Sequence, residues 1–557
     1  MRNIRLAAAG TMGLAVAVFF YHLGTYGLWE PDEARYAEIA REMLATRSFL
    51  LPHLNYVPYV EKPPLLYWLT ALSFRIFGLS ELAARLPCAV SALTGVAATW
   101  FFTLRTTRAK KANLAAAVLV TTPLYAVMAQ VLTTDMLLTA AVTSAFFALF
   151  LQWHEGGQWW IVSSAAMALG TLAKGPVAIV LPVLSLSAFI LWERPGATGG
   201  LVSALERSRL IPGALLAVVL AAPWFVWMSM RVPGFFSFYF VGEHLRRFLD
   251  TSYSHGGPFY YYAPVVLGGF LPWSAILPLL NWRGVLRNPA CRFSLCAVLV
   301  TVGFYSLASS KLIPYVLPAF PPLAVLTGSA LSVSLKREPA AGKAPAAGTV
   351  PRLLASGPIV GLLGAIAIGV AHFAPQFRGP YVQAVRPALY GVGAIGVTGG
   401  LVVTALLWYG RRSAAVAALV VTLAVALAAG SWGRIEAEPL RSYAALCKTV
   451  ARKAPDAQLI CYPRYVESLP FYCQRRVILV GAPTELSFGS THSADARNYF
   501  FRGEAALLKL WERPGPKVLV VDSWALRRLD GKLGSYDVIA SEWTKRAIVK
   551  SRIGKPD

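Results

Sequence analysis

The chain has 557 residues, of which 56% are hydrophobic and only 14% charged. Soluble domains carry about 25% charged residues, so an ordinary soluble protein is excluded and a polytopic membrane protein is indicated. The formal net charge of +25 would suggest nucleic-acid binding in a soluble chain, but in a membrane protein it follows mainly from Lys- and Arg-rich cytoplasmic loops, with any remainder facing anionic lipid or phosphate.

Residues 6–24 form the first apolar run. It is longer than the h-region of a signal peptide, about 7–15 residues, and no small-residue cleavage site stands just before Trp29, so an uncleaved first span is expected. Directly after it comes Trp29-Glu30-Pro31-Asp32-Glu33-Ala34-Arg35-Tyr36. Charge at the mouth of a membrane span is costly and therefore points to function. Residues 33–47 carry Tyr36, Ala40, Met43 and Arg47 near helical spacing. Residues 64–77 are apolar but too short to span, and suit an interfacial or re-entrant helix. The first outer loop, about residues 25–80, is thus expected to hold two helices along the membrane surface.

Further apolar runs near 84–103, 112–130, 136–152, 158–172, 175–192, 210–230, 259–281, 293–309, 312–332, 353–373, 387–408 and 413–432 bring the expected total to about thirteen spans. Basic residues mark alternate connections: Arg105, Arg108, Lys110 and Lys111; Arg194, Arg207 and Arg209; Arg283, Arg287 and Arg292; Lys336, Arg337, Lys343 and Arg352; Arg411 and Arg412. This places the N-terminus in the cytoplasm and residues 434–557 outside. The expected division is a helical membrane domain over 1–433 and a small α/β domain over 434–557. In the latter, Val477-Ile478-Leu479-Val480 and Val518-Leu519-Val520-Val521 read as strands, while 440–453 and 503–512 read as helices. Six cysteines without a CxxC motif leave room for at most one outer disulfide, with Cys461–Cys473 the candidate pair.

Polar groups recur on the outer side. The first loop gives Glu30, Asp32, Glu33, Arg35, Tyr36, Tyr59, Glu61 and Lys62. Later loops give Thr133-Thr134-Asp135, Lys174-Gly175-Pro176, Glu243-His244-Leu245-Arg246-Arg247-Phe248, and Ser310-Lys311 with Tyr315 close behind. Lys and Arg suit phosphate binding, and carboxylates suit a metal, an amine or a proton. The pattern fits a one-sided pocket for a phosphorylated, membrane-borne substrate. Taken singly, each has a plainer reading. Asp32 and Glu33 fit a helix N-terminus, Glu61-Lys62 a solvated pair, Lys174 a snorkelling side chain, and His244 an ordinary interfacial histidine.

The order Glu-Pro-Asp-Glu-Ala-Arg-Tyr, Tyr-Val-Glu-Lys-Pro-Pro-Leu-Leu-Tyr-Trp, Thr-Thr-Asp, Ala-Lys-Gly-Pro, Gly-Glu-His-Leu-Arg-Arg-Phe and Ser-Lys-Leu-Ile-Pro-Tyr-Val-Leu-Pro, running from about residue 25 to 325, resembles the GT-C glycosyltransferases. Within these it resembles the bacterial aminoarabinose transferases of lipid A, relatives of the protein O-mannosyltransferases. The resemblance implies a multi-pass, monomeric inner-membrane enzyme with its site and C-terminal domain in the periplasm. It would move 4-amino-4-deoxy-L-arabinose from undecaprenyl phosphate to a lipid A phosphate and so confer polymyxin resistance.

It also implies roles. Asp32, Glu61 and Asp135 are the catalytic carboxylates, and Arg35, Lys62, Lys174, Arg247 and Lys311 bind phosphate. Tyr36, Tyr59 and Tyr315 contact substrate. Should a divalent metal be required, Glu61 and His244 are its expected ligands; no other cofactor is implied. Two other readings stay open: transfer to protein or another glycolipid, and a lipid transporter. Transporters place their sites near the midplane and show repeated halves, neither of which this sequence displays.

Overall fold

The structure, a computed structural model, describes residues 2–193, 200–249, 256–335, 353–373 and 379–550. The basic residues Arg194, Lys336, Arg337, Lys343 and Arg352 lie outside the described residues. The chain divides into two compact units. A helical unit comprises residues 1–23 and 87–434, and a mixed α/β unit joins 24–86 to 435–557. The division by compactness therefore groups the first loop with the C-terminal segment, whereas hydropathy groups it with the spans.

Among the described residues of the helical unit and its margins, eight helices are long and apolar enough to cross a membrane: Glu81–Thr106, Thr134–Glu155, Leu210–Arg231, Pro289–Leu307, Ile313–Ser334, Ser356–Phe373, Pro380–Trp408 and Arg412–Arg441. The chain is a multi-pass membrane protein. Three further expected spans fall on shorter apolar helices, Ala7–Phe20, Trp159–Ala173 and Val177–Glu193. Two expected spans are broken, so thirteen continuous spans are not found among the described residues. The run over 112–130 splits into Ala109–Val120 and Pro123–Met128. Pro123 forces the preceding Thr122 out of the helical region, to φ −79° and ψ 116°. The run over 259–281 bends by 91° between Phe259–Gly269 and Trp273–Leu279, where Pro272 supplies no amide hydrogen to carry the helix on.

Small residues bring one helix pair into backbone contact. Helices Ser356–Phe373 and Pro380–Trp408 meet through Gly357, Gly361, Gly364, Gly393, Gly396 and Gly400. A Cβ on Gly396 would lie 2.9 Å from the Gly364 Cα, and one on Gly400 2.6 Å from the Gly357 carbonyl oxygen. Glycines spaced three and four apart let two backbones touch where lipid gives no hydrophobic drive for association.

The mixed unit contains a short ladder, β1 (His53–Leu54) with β2 (Val57–Pro58), and a six-stranded sheet. The sheet strands are β3 (Gln458–Tyr462), β4 (Val477–Val480), β5 (Phe500–Phe501), β6 (Lys517–Asp522), β7 (Tyr536–Glu542) and β8 (Lys545–Lys550), in the order β5-β4-β3-β6-β8-β7. β3 to β6 are parallel, and β6, β8 and β7 run antiparallel. β4 and β6 are buried throughout, as expected of apolar runs with both faces covered. The core packs Ile460, Ile478, Val480 and Leu519 against Leu507, Leu510 and Trp511 of helix Glu504–Glu512. Helix Ala444–Lys453 shortens the expected 440–453 at its start, because helix Arg412–Arg441 runs on through Pro439.

Asn55 in the β1–β2 turn ties the first loop to this sheet. Its side chain donates to the Val477 carbonyl and accepts from the Val477 amide, each at 2.9 Å. All six cysteines are free and buried, so the candidate bond Cys461–Cys473 is not formed. Cys473 instead points its thiol at the Cys447 carbonyl, 3.6 Å away.

Candidate functional site

The sequence-selected residues fall into two clusters, one in each unit. In the mixed unit the centre is helix Asp32–Thr46. Although it is rich in charge, residues 33–43 are all buried; several of the charges are paired, while Glu42 accepts from the Tyr56 amide at 2.9 Å. Glu33 meets Arg85 at 2.8 Å, and Glu38 takes a two-pronged bond from Arg41 at 2.6 and 2.7 Å.

Asp32 opens the helix and is exposed; Arg35, one turn on, is buried and collects three carboxylates. It lies 3.4 Å from Asp32 and 3.7 Å from Glu467, and it pairs directly with Glu485. A guanidinium presents five fixed donors, which is what such a convergence requires. Tyr59 is buried nearby and donates to Glu61 at 3.1 Å. Tyr36 packs on Tyr67 with ring centroids 5.9 Å apart. Burial, then the neighbouring Asp32, pushes the Glu485 carboxyl up, against the pull of Arg35 and Lys62. Burial, then Glu30, raises Glu467. Glu30 itself accepts from the amides of Glu467 at 3.2 Å and Ser468 at 2.8 Å, and so caps helix Ser468–Cys473.

Glu467 and Glu485 escaped the sequence reading. Both sit in the C-terminal segment, outside any recognisable motif, and only the fold carries them to Arg35. Gly489, just past Glu485, lies against the Pro58 carbonyl and Val57 so closely that a side chain would collide, which seats this segment on the β1–β2 ladder.

In the helical unit, Asp135 lies in the first turn of helix Thr134–Glu155 and pairs with Lys174, at the end of helix Trp159–Ala173. The Lys174 ammonium stands 4.2 Å from the centroid of the Tyr315 ring, a cation–π distance. Tyr239 donates to the Lys174 carbonyl at 3.4 Å. Gly175, at φ +131°, is packed against His244 and Tyr239, so only glycine fits there. His244 rests its ring on Tyr239, with Nδ1 2.8 Å from the Tyr239 carbonyl oxygen. Arg247 pairs with Glu243 at 2.7 Å. Lys311 is buried, its ammonium donating to the Ala308 carbonyl. Sequence reasoning thus placed Asp135, Lys174 and Tyr315 in one cluster, and missed Tyr239, Tyr262 and Tyr305 around it. Those three lie within apolar or aromatic runs whose default reading is core or interface.

Among the described residues no group of three or more His, Cys, Asp or Glu is placed to hold a metal ion. Glu61 and His244 alone fall short of the usual four-coordinate set, and no chemical step is derived through a metal.

Comparison with known proteins adds the wider frame. Residues 61–227 match the family model of dolichyl-phosphate-mannose-protein mannosyltransferases, and residues 446–550 match that of the aminoarabinose transferase C-terminal domain. An undecaprenyl phosphate-alpha-4-amino-4-deoxy-L-arabinose arabinosyl transferase of Aeromonas hydrophila is 33% identical over 335 residues, 58% of this chain and 59% of that one. Its counterpart in Sodalis glossinidius is 35% identical over 312 residues, 54% of each chain. The chain spans a little over half the length of these curated relatives. Among solved structures, ArnT from Cupriavidus metallidurans bound to undecaprenyl phosphate superposes with a TM-score of 0.85 at 27% identity, over 99% of both chains. The archaeal oligosaccharyltransferase AglB from Archaeoglobus fulgidus shares the fold alone, with a TM-score of 0.51 at 12% identity over 99% of this chain and 75% of that one. The chain is therefore ArnT-like along its whole length, with the architecture of the GT-C glycosyltransferases.

Proposed function

We propose that this protein transfers 4-amino-4-deoxy-L-arabinose from undecaprenyl phosphate to a lipid A phosphate, acting as a monomer at the periplasmic face of the bacterial inner membrane. The carrying observation is the full-length likeness to ArnT solved with undecaprenyl phosphate. The chemistry of the two clusters supports it. The reaction forms a bond between an acceptor phosphate oxygen and the sugar's anomeric carbon, and breaks the bond from that carbon to the donor phosphate. The leaving group is undecaprenyl phosphate, whose growing charge needs fixed cations. Lys62, Lys174, Arg247 and Lys311 are the proposed cations, with Arg35 ordering the acids around it.

A phosphate monoester has a second pKa near 6, so the acceptor is already nucleophilic at neutral pH and needs no general base. Asp32, exposed and held by Arg35, is assigned to binding the sugar amine and orienting the donor. Glu61, positioned by Tyr59, and Asp135, neutralising Lys174, are assigned to positioning. Tyr36, Tyr59 and Tyr315 are assigned to substrate contact. Placing an amine on lipid A lowers its negative charge and its attraction for polycationic peptides such as polymyxin.

The test is mass spectrometry of lipid A from a polymyxin-sensitive strain that lacks its own transferase and has a confirmed donor supply. Aminoarabinose on lipid A with the wild type and not with Asp32→Asn, at matched expression, is the expected result. Modification by both proteins would remove Asp32 from the essential set. Unmodified lipid A with the sugar found on protein Ser or Thr would move the activity to a protein acceptor, the reading favoured by the mannosyltransferase match over residues 61–227.

A further inference from the structure

The stretch 305–311 in the helical unit holds three buried polar groups: two hydroxyls that lack a partner among the described residues, and an ammonium that donates to the Ala308 carbonyl. Tyr305 is 6% exposed and Ser310 4% exposed, and among the described residues neither hydroxyl has a hydrogen-bond partner. Lys311 is 5% exposed, and among the described residues no carboxylate is paired with it. An unmade hydrogen bond in a buried site is costly, and a buried ammonium without a counter-charge more so. The Tyr305 ring packs on Tyr315 at 5.4 Å and on Tyr262 at 6.2 Å, and Tyr315 carries Lys174 on its face. Asp135 lies within electrostatic reach of Tyr305 and Tyr262. Two buried hydroxyls with no partner among the described residues, in the same seven-residue stretch as a buried ammonium with no described carboxylate partner, suit an anion with several acceptor oxygens.

We propose that Tyr305 is a substrate-binding residue, its hydroxyl donating to a phosphate oxygen of the polyprenyl phosphate, with Ser310 as a second donor. The proposal rests on the transferase reading above and adds to it the groups that hold the carrier's phosphate. It makes an unusual demand on a conservative variant. Tyr305→Phe removes only a hydroxyl that has no partner among the described residues, so the unliganded fold should lose nothing, while the ligand loses a charge-assisted bond.

The experiment uses the full chain in nanodiscs with undecaprenyl phosphate as the probe, reading melting temperature without ligand, affinity for the probe, and KM against kcat. Tyr305→Phe should melt at or above the wild-type temperature and bind undecaprenyl phosphate about tenfold more weakly; Ser310→Ala should weaken binding in the same sense. Wild-type affinity in both variants overturns the proposal. A lowered melting temperature of unliganded Tyr305→Phe also overturns it, because the hydroxyl would then serve the fold. If the wild type itself does not bind undecaprenyl phosphate, the transferase reading fails, and this inference with it.

Discussion

Replacing Arg85 by alanine removes the most completely buried cation of the mixed unit. Its side chain has no exposed surface, and that of Glu33 is 3% exposed. The guanidinium donates to both Glu33 oxygens at 2.8 Å, to the Tyr26 carbonyl at 2.9 Å and to the Gly27 carbonyl at 3.0 Å, and it lies 3.8 Å from the Tyr26 ring centroid. Alanine would leave the Glu33 carboxylate buried without its guanidinium and would uncover two backbone acceptors. Breaking one partner out of such a pair costs about 3–5 kcal/mol. For a domain of about 150–250 residues, each kcal/mol moves the melting temperature by roughly 2–4 °C. A fall of roughly 10 °C is expected in thermal unfolding of the purified full chain, with earlier tryptic cleavage of the mixed unit. The double replacement Glu33→Leu with Arg85→Met should cost less than Arg85→Ala alone, because an apolar pair of similar size carries no desolvation penalty. The reasoning is refuted if Arg85→Ala melts within two or three degrees of the wild type.

Two further outcomes follow from packing and charge. Burial and Glu30 raise the Glu467 carboxyl, so the folded state holds a proton that the unfolded chain releases near its ordinary range. That contribution is complete below about pH 4.3 and is lost as pH rises through the folded-state value. Wild type should therefore lose more melting temperature between pH 5 and pH 8 than Glu467→Gln does, and equal slopes would contradict the assignment. In the helical unit, Gly400→Leu forces a side chain into the Gly357 and Gly361 backbone; overpacking costs of about 1–3 kcal/mol should appear as a lower melting temperature. The same change at Gly361, where a Cβ meets nothing within 4 Å, should be milder.

The sequence made the apolar architecture legible because span length and loop charge are local signals. Each apolar run finds helix in the structure, and the two that break do so at Pro123 and Pro272, residues whose effect on a helix is known in advance. β4 and β6 were legible for the same reason, as short apolar runs between turns. Glu467 and Glu485 were not, since nothing within ten residues of either marks it out, and their meaning depends on Arg35 more than 400 positions earlier. Tyr305 was hidden differently. In an apolar span it reads as filler, and only its idle hydroxyl sets it apart. The proposed site residues Asp32, Lys62 and Lys174 stood out because charge beside a membrane span is rare, and His244 because of the Glu-His-Leu-Arg-Arg run around it.

The joining of residues 24–86 to 435–557 in one compact unit has a consequence for biogenesis. The first loop leaves the ribosome more than 400 residues ahead of its partners. Glu30 waits for Glu467 and Ser468, Arg35 for Glu485, and Asn55 for Val477. At synthesis rates of roughly 5–20 residues per second the interval is on the order of half a minute. Through that time the loop carries Arg35 and Asn55 with no native partner from the C-terminal segment, and its short β1–β2 ladder lacks the segment around Gly489 that later covers it. The timing of synthesis, as well as the final energy, is thus a condition that this loop's sequence has to meet.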